Sequence, residues 1–395
     1  MSHKQTSSVS SHSSSLTALS STECAASGVS NTSAEAVRSE SYKEAVHSVE
    51  TGSSSTEALV EIAKSLIETL ATSDKDVYEF GGSKLTLHPV LCEMLSHAHI
   101  CGGSKGTRST ASRITACIQD GDPTSEATIG MLYNLATTWV SHFLYIFKSS
   151  RSHSTQPNKE PSETATPSRT DTKKHLKVGL TPGNRRAGFR DDILKRDGYQ
   201  CIVTGVRDLA FPVHLQPGVP PPFFPLEGCH IIRRAVAVFN REDPDQYLSA
   251  LTTWDILRNF AQLLPVNIED LRDLIDAPPN GFLLQHDAHN GFDRFAWCLE
   301  KTEVENRYTV KIFDEYKHSI SGLTKGQVKV VEFYDHSDEF RTAEERSSPL
   351  KRSLEVPLPS PHYISVHAAI AGVLHMSGAG KFLDELLDKF DPDRN

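Results

Sequence analysis

Apolar residues first recur with a helical period from Thr56 onward. Between Leu59 and Leu70 they return every three or four positions, and acidic residues occupy the other faces, which predicts an amphipathic helix. A broader apolar stripe runs from Ser125 to Lys148, but Thr137, Thr138 and His142 interrupt it, so this helix is expected to pack in a core. Together the two patterns predict a small helical domain over residues 56–148, whose role the sequence does not indicate.

Two segments around this domain lack any hydrophobic period. Residues 1–55 contain nineteen serines and few aromatic residues, a composition typical of a disordered tail. Residues 149–172 consist mainly of serine, threonine, proline and charged residues and are expected to form a linker.

From residue 173 the pattern predicts mixed helices and strands. A short helix is expected over Phe189–Arg196, followed by strands at Tyr199–Val203 and Glu227–Ile232. Helical runs between Ile232 and Asn280 form an insertion, expected to make a wall of a substrate groove or a dimer contact. A buried strand and a helix follow Pro278-Pro279. Residues 316–395 read as a helical extension, interrupted near Gly378 and predicted to pack on the core.

The candidate chemistry is concentrated after that buried strand. Four potential ligands fall within eight positions: His286, Asp287, His289 and Asp293. If Asp287 caps the helix, His289 and Asp293 stand at i and i+4 on one face, where a metal ion could contact both. The alternative is an ordinary helix surface, on which such spacings are common.

Three separated segments resemble one known family in the same order. They are Cys201-Ile-Val-Thr-Gly205, Glu227-Gly-Cys-His-Ile-Ile232 and Asn280-Gly-Phe-Leu-Leu-Gln-His-Asp-Ala-His-Asn-Gly-Phe-Asp293. The chain thus resembles the His-Asn-His (HNH) endonucleases over roughly residues 185–315, and more narrowly a branch common in fungi. The resemblance implies an α+β fold with a ββα-metal nuclease core over 173–315, a divalent ion and hydrolysis of nucleic acid, with DNA as the expected substrate.

The resemblance also implies roles for individual residues. His230 would be the general base, since the pKa of free histidine lies near the working pH. Asn280 would hold the loop and the His230 backbone or ring in place by amide hydrogen bonds, and His289 would ligate the ion. Each has a structural alternative: a buried histidine for His230 and His289, and a simple Asn-Gly turn for Asn280.

Cys229 departs from the family pattern, in which many members carry an aspartate before the base histidine. A thiol is a poor magnesium ligand and favours softer ions. Either Asp287 or Asp293 supplies the oxygen ligand, or the ion is a transition metal, or the site is degenerate. The ion is therefore open among Mg²⁺, Mn²⁺, Ni²⁺ and Zn²⁺. The competing hypothesis is a catalytically degenerate module that binds nucleic acid or protein.

Charge and cysteine content complete the sequence-based picture. The net charge of −9 does not indicate a nucleic-acid binder. However, residues 173–196 carry eight basic against two acidic residues, and Arg185, Arg186 and Arg190 in this stretch are candidate phosphate contacts; a solvated linker is the alternative. Seven cysteines without a Cys-x-x-Cys pair and the lack of a long apolar run favour a soluble intracellular protein, with no membrane span.

Overall fold

A computed structural model describes residues 32–149, 188–212, 223–237, 239–263, 274–313, 320, 328–340 and 356–390. Of the predicted segments, residues 1–31 of the expected disordered tail, the linker from residue 150 onward and the candidate residues Arg185 and Arg186 lie outside these ranges. No helix among the described residues has the length and apolar character needed to cross a membrane.

The N-terminal part consists of helices with one small hairpin. Serine side chains start three of the helices by accepting a backbone N–H of the first turn: Ser39, Ser55 and Ser125. The elements are α1 (Glu40–Thr51), α2 (Thr56–Ala71), β1 (Val77–Phe80), β2 (Ser83–Thr86), α3 (His88–Thr115), α4 (Glu126–Trp139), a π-helical turn (Val140–Leu144) and α5 (Tyr145–Ser149).

Helix α1 corrects the prediction that all of residues 1–55 are disordered. Tyr42 and Val46 on α1 are buried, and the Tyr42 hydroxyl donates a hydrogen bond to the carbonyl oxygen of Arg113 at 2.7 Å. These two side chains anchor the helix to α3. The serine-rich composition concealed them, because two apolar residues one turn apart make only a short hydrophobic pattern.

The C-terminal part combines short strands with helices. Its elements are α6 (Phe189–Arg196), β3 (Arg207–Asp208), β4 (Phe223–Phe224), β5 (Leu226–His230), α7 (Pro244–Ala261), β6 (Gly281–Gln285), α8 (His286–Asp293), β7 (Trp297–Lys301), β8 (Arg307–Ile312), β9 (Val330–Glu332), α9 (Pro361–Met376) and α10 (Ala379–Phe390). Strand β3 pairs with β4 in parallel, whereas β5–β6 and β7–β8–β9 are antiparallel. Strands β5 and β6 pair across the long insertion and are called the β5–β6 hairpin. Together with α8 they make the two-strand-and-helix arrangement that the resemblance implies.

The predicted strand at Tyr199–Val203 is wrong. This segment makes a turn, which is closed by a hydrogen bond from the Cys201 N–H to the carbonyl oxygen of Val206 at 2.9 Å, and its β-bridge joins Gln200 to Arg207. The glycines at 198 and 205 have positive φ angles of 65° and 72°, so the backbone reverses at both ends of a short apolar run.

One hydrophobic core joins the N-terminal helices to later parts of the chain. It contains buried residues of α1–α5 together with those of α7, α9 and α10, so the predicted helical domain shares its core with the C-terminal part. Gly102 and Gly106 of α3 allow this packing, because an added Cβ would lie 2.4 Å and 2.5 Å from the carbonyl oxygen of Phe260. The buried face of α7 therefore packs inside the protein, so among the described residues of the insertion this face does not line a groove or contact a second copy.

A second, smaller core surrounds the β5–β6 hairpin. Phe189 and Ile193 of α6 pack with Phe282 of β6, Phe292 of α8 and Trp297 of β7. The Trp297 indole N–H donates to the carbonyl oxygen of Ala288 at 2.9 Å, which fixes α8 to the sheet beside it. This core holds the hairpin and α8 in the relative position on which the candidate site depends.

Candidate active site

The two faces of strand β5 carry different chemistry. Because side chains alternate along a strand, Glu227 and Cys229 lie on one face and Gly228 and His230 on the other. Glu227 contacts His289 of α8, whereas the ring of His230 stacks on Phe189 of α6 with centroids 4.5 Å apart. The face toward α8 therefore gathers potential metal ligands, and the face toward α6 holds the candidate base.

A compact group of potential metal ligands, the metal group, consists of Cys229, His289 and Asp293. The Cys229 sulfur, a His289 ring nitrogen and an Asp293 carboxylate oxygen lie within 4.8 Å of one another, and it is the one such group of three found among the described residues. Helix α8 brings His289 Nε2 to 3.6 Å from Asp293 Oδ2, as their i, i+4 spacing predicts. Two ligands bound at about 2.0–2.2 Å to one tetrahedral ion lie roughly 3.4 Å apart, so this separation fits a shared divalent ion.

Glu227 orients His289 toward that group. The His289 Nδ1–H donates to Glu227 Oε2 at 2.5 Å, and His286 Nδ1 lies 2.9 Å from Glu227 Oε1. Burial alone would raise the pKa of Glu227, but the hydrogen bonds and charge of His289, followed by those of His286, outweigh it and lower the pKa to about 2. The carboxylate is thus ionised and leaves Nε2 as the nitrogen that faces Asp293, the arrangement typical of metal-binding histidines.

Burial and charge act in opposite directions on two members of this group. Burial would lower the pKa of His289, but the Cys229 sulfur and the Asp293 carboxylate outweigh it, so the pKa lies well above its usual value. Burial raises the pKa of Cys229 to about 11. The Cys229 Sγ–H donates weakly to the carbonyl oxygen of His230 at 3.6 Å.

A buried arginine lies beside this group. Arg233 is 6% exposed, and burial lowers its pKa. Its Nη2 lies 3.5 Å from Asp293 Oδ2, while its Nη1 donates to the carbonyl oxygen of Phe147 in α5 at 2.5 Å. The guanidinium thus partly balances the charge of Asp293 and connects Asp293 to the N-terminal helices.

His230 is held by an acid–arginine pair. His230 Nε2 lies 2.9 Å from Asp276 Oδ1, and Arg234 donates from Nε and Nη2 to the two oxygens of Asp276 at 3.0 Å and 2.9 Å. Burial would raise the pKa of Asp276, but His230 and Arg234 outweigh it and lower the pKa. The ionised carboxylate accepts a hydrogen bond from the His230 Nε2–H and so fixes the His230 tautomer and ring orientation.

Asn280 fastens the backbone that follows His230. Its Oδ1 accepts the Ile232 N–H at 2.7 Å, and its Nδ2 donates to the carbonyl oxygens of Ile232 and Ile275 at 2.9 Å and 2.8 Å. The side chain is 1% exposed. These hydrogen bonds support the expectation that Asn280 holds the loop in place.

The structure does not place Asp287 in the metal group, nor as the helix cap. Helix α8 starts at His286 after Gln285, and Asp287 is an exposed residue of the first turn. Asp287 is a poor candidate ligand because its side chain points to solvent. Of the two aspartates considered as the oxygen ligand, Asp293 is therefore the one that the fold brings to the group.

Arg190, a candidate phosphate contact, makes hydrogen bonds within the fold. Its Nη2 donates to Asp208 Oδ2 at 2.9 Å and to the carbonyl oxygen of Leu226 at 3.1 Å. These hydrogen bonds give Arg190 a structural role at the start of β5. The guanidinium already balances the buried carboxylate of Asp208, which is 2% exposed in its side chain.

Sequence reasoning missed three residues of the site. Glu227 could have been found, because it lies two positions before Cys229 on a predicted strand and therefore on the same face. Arg233 and Asp276 had no such signal: Arg233 follows the strand in an irregular turn, and Asp276 lies 46 positions from His230 in the chain.

Comparison with known families agrees with this arrangement. Residues 201–300 match the family model described as HNH endonuclease, a stretch that includes β5, β6, α8 and every member of the metal group. This part of the chain matches the HNH endonuclease family, and the resemblance noted from the sequence is confirmed. No curated protein and no solved structure matches the chain.

The hydrogen bond from His289 to Glu227 leads to a test of the metal group. Replacing Glu227→Ala removes the carboxylate that fixes the His289 tautomer, so zinc affinity should fall about 10- to 100-fold, measured by calorimetry on the full chain. The control is Glu300→Ala, whose carboxylate pairs with Lys311 on the surface at 2.7 Å and should not change affinity. Equal zinc affinity in both variants would show that Glu227 does not support a metal ligand.

Proposed function

We propose that this protein is a metal-dependent endonuclease that hydrolyses phosphodiester bonds, with DNA as its substrate. The observation that carries the proposal is the buried group of Cys229, His289 and Asp293, which lies within the stretch that matches the HNH endonuclease family. Three protein ligands meet at the junction of β5 and α8. This number suits a catalytic ion, because a fourth coordination position then remains for water or substrate.

Hydrolysis of a phosphodiester needs a group that takes a proton from the attacking water. His230 fits this task, since the hydrogen bond from Nε2 to Asp276 assigns the Nε2 proton and leaves Nδ1 as the basic nitrogen. The arrangement resembles in kind the acid that orients a catalytic histidine in other hydrolases. When bound, a divalent ion supplies positive charge that stabilises the phosphate and the leaving oxygen.

Asp276 and Asn280 act as positioning residues in this proposal. Asp276 orients the His230 ring and stabilises the imidazolium that forms when His230 accepts a proton. Asn280 forms hydrogen bonds with Ile232, shortly after His230. These bonds keep the end of β5 next to the start of β6. Both roles rest on side chains that are almost fully buried and therefore rigid.

Phosphate binding on the DNA backbone is proposed for Arg185 and Arg186. The basic stretch that contains them precedes α6, whose first residue Phe189 stacks on the candidate base. In the sequence, Arg186 lies three residues before Phe189, which stacks on the candidate base. Phosphates bound there would position the substrate without any reading of its sequence.

A second function is favoured by one observation. The Arg233 guanidinium lies 3.5 Å from Asp293 and supplies part of the positive charge that an ion would provide. A protein that had lost its ion could keep the fold in this way and serve as a binding module for nucleic acid or protein. The two functions differ in whether the purified chain cuts DNA.

The nuclease proposal predicts activity that depends on His230. The full chain should nick supercoiled plasmid with at least one of Mg²⁺, Mn²⁺, Ni²⁺ or Zn²⁺, and His230→Ala should lower the rate by about 10²–10⁴-fold, the usual contribution of a general base. The control His99→Ala replaces an exposed histidine of α3 and should retain full activity. A wild-type chain that is inert with all four ions over a pH series would favour the binding module.

The positioning role of Asp276 predicts a selective loss of turnover. Asp276→Asn keeps the shape of the side chain but removes the charge that stabilises the His230 imidazolium, so kcat should fall by at least about tenfold while KM for plasmid stays unchanged. Asp276→Glu, which restores the carboxylate, should recover part of kcat. If the Asn variant changes KM and kcat together, or if Glu fails as badly as Asn at equal thermal stability, the assigned role is wrong.

The basic stretch predicts a change in salt dependence. Binding that neutralises phosphates releases counterions, so the double variant Arg185→Gln/Arg186→Gln should reduce the slope of log affinity against log salt by up to about 0.9 for each phosphate that is no longer neutralised. The affinity should fall similarly for unrelated DNA sequences. Lys64→Gln, on the exposed face of α2, is the control, and a double variant whose slope equals that of the control would exclude phosphate binding by these arginines.

A further inference from the structure

We propose that the metal group selects a sulfur-binding transition-metal ion, of the class of Zn²⁺ and Co²⁺, over Mg²⁺, with Cys229 as a direct ligand. This inference rests on the proposed function, because it concerns the ion of the same site. It goes beyond it by assigning the ion's class and the residue that decides the selection.

The position of Cys229 carries the inference. Its side chain is fully buried on the face of β5 that meets α8, and its sulfur lies within 4.8 Å of ligand atoms of both His289 and Asp293. The pairing of Cys229 with Phe282 across the hairpin holds the strand backbone in place. For an ion held between His289 and Asp293, the Cys229 sulfur is therefore the additional ligand that β5 provides.

The donor set is unfavourable for magnesium. Mg²⁺ requires oxygen ligands in a nearly octahedral arrangement and usually keeps several waters, whereas this group offers one carboxylate, one imidazole and one sulfur. Thiolate and imidazole ligands favour zinc and related ions, which bind such sets more strongly than magnesium. Glu227 is not a member of this group, and its two oxygens face the Nδ1 atoms of His286 and His289.

The other buried cysteines of the described residues, Cys117, Cys201 and Cys298, do not belong to the group of potential ligands. Cys201 accepts a hydrogen bond from the Thr204 N–H at 3.4 Å within a turn. Cys298 is 1% exposed on β7, and neither residue belongs to the group of potential ligands found among the described residues. Sulfur ligation is therefore assigned to Cys229, and Cys298 provides a control of equal burial.

The test uses cobalt as a spectroscopic probe of the full chain, prepared without metal and kept reduced by a reagent that lacks thiols. Co²⁺ binding should give a near-ultraviolet sulfur-to-cobalt charge-transfer band, which zinc should displace and a large excess of magnesium should not. Cys298→Ser should keep the band. Cys229→Ser should lose it, and its affinity for zinc should fall by at least the roughly 10- to 100-fold that removal of an outer hydrogen-bond partner costs.

A second variant tests the selection itself. Cys229→Asp replaces sulfur by a carboxylate, so it should bind Mn²⁺ more tightly and zinc more weakly than the wild type in calorimetry. If this variant does not fold, as circular dichroism would show, the serine variant and the cobalt band alone decide the outcome.

The outcomes separate this inference from the proposed function. Cobalt binding without the band, or an unchanged band in Cys229→Ser, would overturn sulfur ligation while the metal site of the proposed nuclease stands. Calorimetry that detects no binding of cobalt, zinc, nickel, manganese or magnesium would overturn both.

Discussion

The register of the β5–β6 hairpin is the constraint on which the rest of the site depends. Cys229 pairs with Phe282 and His230 with Gly281, and a slip of one residue would exchange the two faces of β5. The ligand face would then point to α6 and the candidate base to α8. Asn280 prevents such a slip, because its side chain bonds both the N–H and the carbonyl group of Ile232, beyond the last paired residue.

Small residues make the base-bearing face possible. A Cβ at Gly281 would lie 2.4 Å from the Phe189 ring and 2.6 Å from the Cys229 carbonyl oxygen. A side chain there would displace the ring that stacks on His230 and the backbone that carries the candidate sulfur ligand. The Asn-Gly pair, which from sequence could be a simple turn, therefore serves both faces: Asn280 holds the register, and Gly281 leaves space for Phe189.

Sequence predicted best the features that depend on local spacing. The helical periods of α2 and α9, and the approach of His289 to Asp293 on α8, follow from short repeats that need no tertiary information. The role of Asp276 and the ion pair of Arg190 with Asp208 could not be predicted, because each joins segments that are distant in the chain. Cys229 was visible only as a departure from a family pattern; its location between His289 and Asp293 became evident from the packing of α8 against β5.

Arg233 makes the candidate site and the N-terminal helices parts of one thermodynamic unit. Its guanidinium contacts the Phe147 carbonyl oxygen on one side and Asp293 on the other, and the shared core lies around it. Coupling free energies are reciprocal, so whatever an ion at Asp293 contributes to the docking of α5, the docking of α5 contributes equally to holding the ion. The matched stretch 201–300 excludes Phe147, and a fragment limited to that stretch would leave this buried cation without one of its two anchors.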